Sequence, residues 1–262
     1  MTPDQILAER AKVIAEHGEW TAHDLDLGHG ISTRDLGLAQ QWRVDFFNDV
    51  IRKHSPGLSY DRTRMLDLAC LEGLFTIEFA RMGASTVGLE IRDAHLEKAR
   101  FVQRVHQLAR CQFVKGDVRR IPAELGQFDV IICAGILYHL DFPDCVHFLK
   151  DIAARSTDLV IVDSCFGYDD QSLYTVHKPS EMRTFELDGR KFRGRVYLEH
   201  VEGTSDQDKA GNLWGSIDNN YATWLDERDV VAIMTEAGFA LAERYPNPEL
   251  PYRPTLAFKR RG

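Results

Sequence analysis

Between residues 64 and 164 continuous apolar runs alternate with segments whose apolar positions recur every three or four residues. The runs predict strands over 64–69, 85–90, 111–117, 128–135 and 159–164, and the periodic segments predict helices over 74–83, 94–109 and 142–155. Uninterrupted apolar strands joined by amphipathic helices predict an α/β fold: a parallel sheet with helices on both faces. Upstream, the pattern predicts helices over 3–17 and 40–54. The second places Trp42, Phe46, Val50 and Ile51 on one face and ends at Ser-Pro-Gly 55–57. After Ser164 the rhythm breaks. Residues 165–222 are polar and aromatic, with a hairpin expected over 189–200, and they are too long for a plain connection, so they predict a functional insertion. Regular structure returns with a helix over 226–238, N-capped by Asp226. Two strands follow over 239–245 and 254–260, and their short link predicts an antiparallel pair at the sheet edge. The expected divisions are an N-terminal helical cap (1–60), the core (61–164), the insertion (165–222) and a C-terminal completion of the core (223–262).

Composition narrows the classes. A chain of 262 residues, 44% hydrophobic, is long enough for one large core. Its net charge of -8 disfavours a protein whose main task is gripping nucleic acid. No apolar run is long enough to span a membrane, and the N-terminal segment lacks the basic start and apolar centre of a signal peptide. The five cysteines form no Cys-x-x-Cys pair and are odd in number. Reduced, buried thiols of a cytoplasmic protein are therefore expected.

Three successive predicted strands end in an acid. Asp67 closes the first, Glu90 the second, and Asp117 follows the third. On parallel sheets, ligands bind beyond the carboxyl ends of the strands, and an acid after the second strand can accept ribose hydroxyls. The first turn carries a single glycine, Gly73, where a pyrophosphate cradle needs several. Clustered carboxylates disfavour phosphate and favour hydroxyls and cations. An adenosine with positive charge and no phosphates fits, and S-adenosylmethionine is such a ligand. Gly73 is expected where the turn approaches it. A nicotinamide cofactor fits the same turn poorly.

On these residues, 64–164 resemble the core of class I S-adenosylmethionine-dependent methyltransferases, whose first loop usually reads Asp-x-Gly-x-Gly-x-Gly. Here it reads Asp67-Leu68-Ala69-Cys70-Leu71-Glu72-Gly73, so Ala69 and Leu71 replace two of the glycines, and Leu71 would crowd the methionine end of the ligand. The resemblance implies a Rossmann-like seven-stranded sheet completed by the C-terminal strand pair. It implies that Asp67, Ala69 and Gly73 belong to the cofactor loop. Glu90 would hold the ribose and Asp117 the adenine, with Ile91 and Val118 flanking the ring. Cys133 and Ala134 would lie under the methionine moiety.

The segment Leu137-Tyr138-His139-Leu140 follows the fourth strand and places Tyr138 and His139 beside the expected methyl group. Methyl transfer mainly requires alignment of the acceptor. A hydroxyl acceptor also needs a base, and imidazole titrates in the right range. His139 is the candidate base or substrate anchor, unless it only packs at the helix start. Asp163 is a second candidate for base, or for metal ligand with Asp169, Asp170 or His177, although no tight ligand spacing marks a metal site. Before the first strand, His29, Thr33 and Arg34 either meet the ligand or form an ordinary loop. The insertion carries Tyr168, Tyr174, His177, Tyr197, His200, Trp214, Asn219, Asn220, Tyr221 and Trp224. These suit a saccharide, and equally a small core or a homodimer surface. The basic run Arg190, Lys191, Arg193 and Arg195 suits either a phosphate or a solvated hairpin. The chain is similar to a branch that includes sugar and natural-product O-methyltransferases and, in part, tRNA uridine-5-oxyacetic acid carboxymethyltransferases. O-methylation of a small or oligomeric polyhydroxylated acceptor is the expected activity. A tRNA-modifying enzyme and a non-catalytic cofactor-binding protein are the alternatives.

Overall fold

The computed structural model describes residues 1–262, which divide into two compact units, Met1–Ile131 and Ile132–Gly262. The first begins with α1 (Pro3–His17), opened by a capping box between Thr2 and Gln5. The ribbon β1 (Asp26–Gly28) and β2 (Ile31–Ser32) leads to α2 (Gln41–His54). Then come β3 (Arg64–Leu68), α3 (Leu74–Arg81), β4 (Ser85–Glu90), α4 (Asp93–His106) and β5 (Cys111–Lys115). The three strands pair in parallel, and β3 and β4 are almost wholly buried, as their apolar runs require.

The division falls within β6 (Phe128–Ala134). Next are α5 (Asp144–Arg155), β7 (Ser156–Asp163) and a hairpin of β8 (Met182–Leu187) and β9 (Arg190–Leu198). They are followed by α6 (Asp206–Gly211), β10 (Tyr221–Leu225), α7 (Glu227–Glu236), β11 (Phe239–Tyr245) and β12 (Thr255–Arg260). The central sheet has seven strands in the order β11-β12-β7-β6-β3-β4-β5, with β12 antiparallel to both its neighbours. The seven-stranded α/β architecture and its C-terminal strand pair are those expected from the sequence.

Two details differ. In α2 the buried face is Val44, Phe47, Val50 and Ile51, while Trp42 is 65% exposed. Spacings of three and four from Val44 put Phe47 against the stacked ring of Phe75, 4.7 Å away. That contact selects a helix phase different from the one expected from Trp42 and Phe46. The insertion's hairpin gains a third strand, β10, which pairs with β9 and carries the inserted sheet to Leu225. All five cysteines are buried and free.

Candidate active site

The loop after β3 has the shape of its glycine-rich relatives without their glycines. Ala69, Leu71 and Gly73 sit at φ of 51°, 50° and 87°, a region that side-chain-bearing residues enter at a cost of about 1–2 kcal/mol each. The left-handed turn at Leu71 lets its N–H donate to Glu90 Oε2 at 3.0 Å. Gly73 also meets a packing demand of its own. A Cβ there would lie 2.9 Å from the ring of Phe113 and 3.1 Å from Ala99 Cβ, so the glycine admits packing beneath the loop.

Gly73 offers no side chain to cap α3, so two residues from elsewhere in this unit supply the caps. Asp67 Oδ2 accepts from Thr76 N (3.1 Å) and Thr76 Oγ1 (2.7 Å), and His23 Nδ1 accepts from Leu74 N at 3.4 Å. Burial pushes the Asp67 carboxyl up to about 7, with the Thr76 bonds opposing. Burial, helped by Arg43, pulls His23 down to about 3, so its ring is neutral and free to accept.

Glu90 ends β4 almost fully buried. Burial alone would raise its carboxyl, but His95 and the amides of Arg92 and Leu71 outweigh that and hold it below the usual range. It also accepts from Ile91 N at 3.0 Å. It is thus an ionised acceptor placed by backbone donors, which fits the ribose hydroxyls of an adenosine cofactor. His95 Nδ1 stands 3.7 Å from Glu90 Oε1, and neither of its ring nitrogens has a hydrogen-bond partner. Asp117 accepts from Arg119 N (2.9 Å) and is gripped by the same residue's guanidinium, Nη2 to Oδ2 at 2.6 Å. An adenine contact there would require Arg119 to share the carboxylate. Val118 beside it is buried, and Ile91 is half-buried.

A residue overlooked in the sequence sits inside the loop. Glu72 is wholly buried, and its carboxylate accepts from the N–H groups of Thr21 (2.7 Å), Ala22 (3.0 Å) and His23 (2.8 Å). Lys98, equally buried, reaches Glu72 Oε1 at 3.4 Å and Glu19 O at 2.5 Å. The segment before β1 is therefore clasped to the loop. Thr33, one of the expected ligand contacts, is instead a buried strut that donates to His23 O and accepts from Leu25 N. Asp24 accepts from Arg34 N, Leu36 N and Leu38 N, which shapes the same loop, and His29 is exposed at the ribbon's turn.

In the second unit, β6 ends with Cys133 buried and Ala134 half-buried, and burial raises the Cys133 thiol. Tyr138 and His139 occupy the short 3-10 turn Leu137–His139. His139 Nδ1 lies 2.9 Å from both oxygens of Glu199, whose Oε2 also accepts from Ser216 N at 3.1 Å. A carboxylate only accepts, so Nδ1 carries a proton, and in the neutral ring Nε2 presents a lone pair. Asn219 Nδ2 donates to His139 O at 3.1 Å, holding the turn. Glu199, also overlooked in the sequence, completes a carboxylate-imidazole dyad, the arrangement by which a general base is oriented.

Asp163 is engaged by Arg253, Nε to Oδ1 at 2.7 Å, which leaves it poorly suited as a base. Its expected metal partners are elsewhere: Asp169 pairs with Arg193 and Arg228, Asp170 caps Ser172, and His177 Nδ1 meets Tyr252 Oη at 2.8 Å. No group of three or more His, Cys, Asp or Glu side chains is arranged to hold a metal.

The insertion's aromatics form a core. Trp224 stacks between Tyr197 (4.8 Å) and Tyr252 (5.8 Å), with Tyr174 packed alongside. Trp224 and Tyr252 are buried, while Trp214 and Tyr221 are exposed. The arginines of the basic run are engaged within the fold, while Lys191 is exposed. Arg195 is buried, donating to the carbonyls of Tyr168, Asp169 and Ser180, and Arg190 pairs with Glu236. No helix is long and apolar enough to cross a membrane.

Residues 65–157 match the methyltransferase domain family. A ubiquinone biosynthesis O-methyltransferase of Acinetobacter baylyi is 29% identical over 94 residues, covering 36% of this chain and 39% of that protein. The O-antigen chain terminator bifunctional methyltransferase/kinase WbdD of Escherichia coli is 25% identical over 155 residues, 58% of this chain and 20% of that one. The chain thus matches less than half the length of each of these relatives. Among solved structures, the N-terminal domain of EvdMO1, crystallised with S-adenosylhomocysteine and D-fucose, aligns over 100% of this chain and 98% of its own, with a TM-score of 0.68 and 23% identity. Residues 65–157 therefore match a methyltransferase domain, and the chain has the fold of class I S-adenosylmethionine-dependent methyltransferases, as its sequence resemblance implied.

Proposed function

We propose that this chain, with its class I methyltransferase domain and fold, transfers a methyl group from S-adenosylmethionine to a hydroxyl of a saccharide or similar polyhydroxylated small molecule. The observation that carries the reading is the His139–Glu199 dyad, with an Nδ1 contact of 2.9 Å. The cofactor supplies the activated methyl group. Asp67, Ala69, Gly73, Glu90, Ile91, Asp117, Val118, Cys133 and Ala134 would hold it. Glu90 accepts the ribose hydroxyls, and its ionised carboxylate suits a cationic ligand better than a pyrophosphate. Glu199 fixes the His139 tautomer, and Nε2 takes the acceptor's hydroxyl proton as the oxygen attacks. Tyr138, next in chain to His139, borders the acceptor. Asp163 acts through Arg253 rather than as a base.

The saccharide assignment draws support from the relatives, since the EvdMO1 domain was crystallised with D-fucose and WbdD is named for O-antigen chains. Radiolabelled methyl transfer to a panel of sugars and glycosylated metabolites tests it. His139→Ala is expected to abolish transfer while binding S-adenosylhomocysteine as wild type does. Unchanged turnover in that variant would remove the dyad from the chemistry.

A further inference from the structure

Arg253 is placed for more than bracing. It follows Tyr252 in the link before β12, and its Nε bonds Asp163 Oδ1 at 2.7 Å. Asp163 is further tied by Thr255 Oγ1 at 3.4 Å, so the carboxylate is a fixed post for the guanidinium. The guanidinium carbon lies 5.1 Å from the centre of the Tyr138 ring, which gives it a flat face to rest on. Its other edge, Nη1 and Nη2, donates to no protein acceptor, although the side chain is only 23% exposed. That edge points towards Gly135, the residue after β6. A Cβ built there would be 3.5 Å from Arg253 Nη2 and 3.4 Å from Tyr138 Oη. The missing side chain leaves room where the two polar groups converge, one residue beyond Ala134.

From this geometry we infer that the acceptor carries an anionic group, a carboxylate or phosphate, which Arg253 receives on its free Nη1/Nη2 edge beside Tyr138. The inference rests on the methyltransferase reading and specifies its substrate class. A guanidinium held by Nε presents two parallel N–H donors, the fork that matches a carboxylate or phosphate oxygen pair. A neutral hydroxyl would satisfy one donor and, by displacing water, strand the others at a cost. The nearby acids offer no alternative partner: Asp163 holds Nε, and Glu199 holds His139 and the Ser216 amide. Arg253 thus sets specificity while the dyad manages the proton.

The test titrates the S-adenosylhomocysteine-saturated protein with D-glucuronate and with D-glucose, followed by calorimetry. Glucuronate is expected to bind at least tenfold more tightly. Arg253→Gln is expected to erase the preference while changing affinity for S-adenosylhomocysteine less than threefold, and Arg253→Lys to restore part of it, since the charge returns without the fork. Equal binding of the two sugars, or binding of neither, overturns the inference. A preference that survives Arg253→Gln also overturns it. So does an Arg253→Gln variant that loses S-adenosylhomocysteine instead, which would assign the guanidinium to the cofactor's own carboxylate. Wild-type protein that fails to bind S-adenosylhomocysteine brings down the methyltransferase reading itself, a result distinct from the others.

Discussion

The acids of the two units differ in the partners that hold them. In Met1–Ile131, Asp67, Glu72 and Glu90 all accept from backbone N–H groups. In Ile132–Gly262, Glu199 pairs with the His139 ring, Asp163 with the Arg253 guanidinium and Asp226 with Arg228. A backbone amide neither titrates nor swings away, so the first arrangement fixes the shape of a binding loop. A side-chain partner has a second end. His139 keeps Nε2 and Arg253 keeps its Nη edge, so the second arrangement leaves groups that a ligand could meet. The first unit has the character of a mould, and the second that of a set of tools.

Breaking the tools has the largest expected effect. Glu199→Gln cannot hold the proton on Nδ1 as a carboxylate does, and His139→Ala removes the base. Each is expected to lower kcat by about 10²–10⁴-fold, with affinity for S-adenosylhomocysteine unchanged, as steady-state kinetics and calorimetry on the same preparations would show. If either variant lost cofactor affinity in proportion to rate, the contrast between the units would fail.

Breaking the mould is expected to appear as lost stability. Lys98→Met leaves Glu72 buried without its cation, and removing one partner of such a pair costs about 3–5 kcal/mol. Urea unfolding would register the loss, while the double variant Glu72→Gln/Lys98→Met recovers part of it.

Two groups that cap α3 respond to pH with opposite sign. Asp67, ordinarily near 3.8 and about 7 in the fold, makes stability fall as pH rises through that interval. His23, ordinarily near 6.5 and about 3 in the fold, makes stability fall as pH drops through its interval. In wild type the two slopes offset each other across the shared range. Asp67→Asn is expected to leave stability rising with pH, and His23→Gln to leave it falling, each on the order of 1 kcal/mol per pH unit. Thermal midpoints from pH 4 to 7 would show the split, and parallel profiles for the two variants would refute it.

The smallest effect sharpens the comparison. Ala69→Gly relieves a left-handed alanine and is expected to raise stability by roughly 1 kcal/mol, less the added freedom of the unfolded chain. A drop in the thermal midpoint would mean that the Ala69 methyl packs more than the backbone strains.

The contrast also explains what the sequence disclosed. Asp67 and Glu90 find donors near them in the chain, Thr76 nine residues on and Leu71 nineteen back, within one strand-turn-helix pattern that periodicity reveals. Glu199 lies 60 residues from His139, and Arg253 lies 90 from Asp163. No local spacing announces such pairs, because tertiary folding alone brings them together. Glu72 meets Thr21 across 51 residues and was hidden for the same reason. Trp42 misled because a large apolar side chain suggests burial, whereas Val44 and Phe47 complete the spacing that meets Phe75.

The Glu72 clasp makes the first two dozen residues a poor place to shorten the chain. Trimming back to β1 would delete all three amides that Glu72 accepts from, together with the carbonyl that receives Lys98. A protease cut between α1 and β1, or a deletion made to improve crystallisation, would thus release an anion and a cation from the interior. What looks like a detachable leader helix is fastened at its root to the loop after β3.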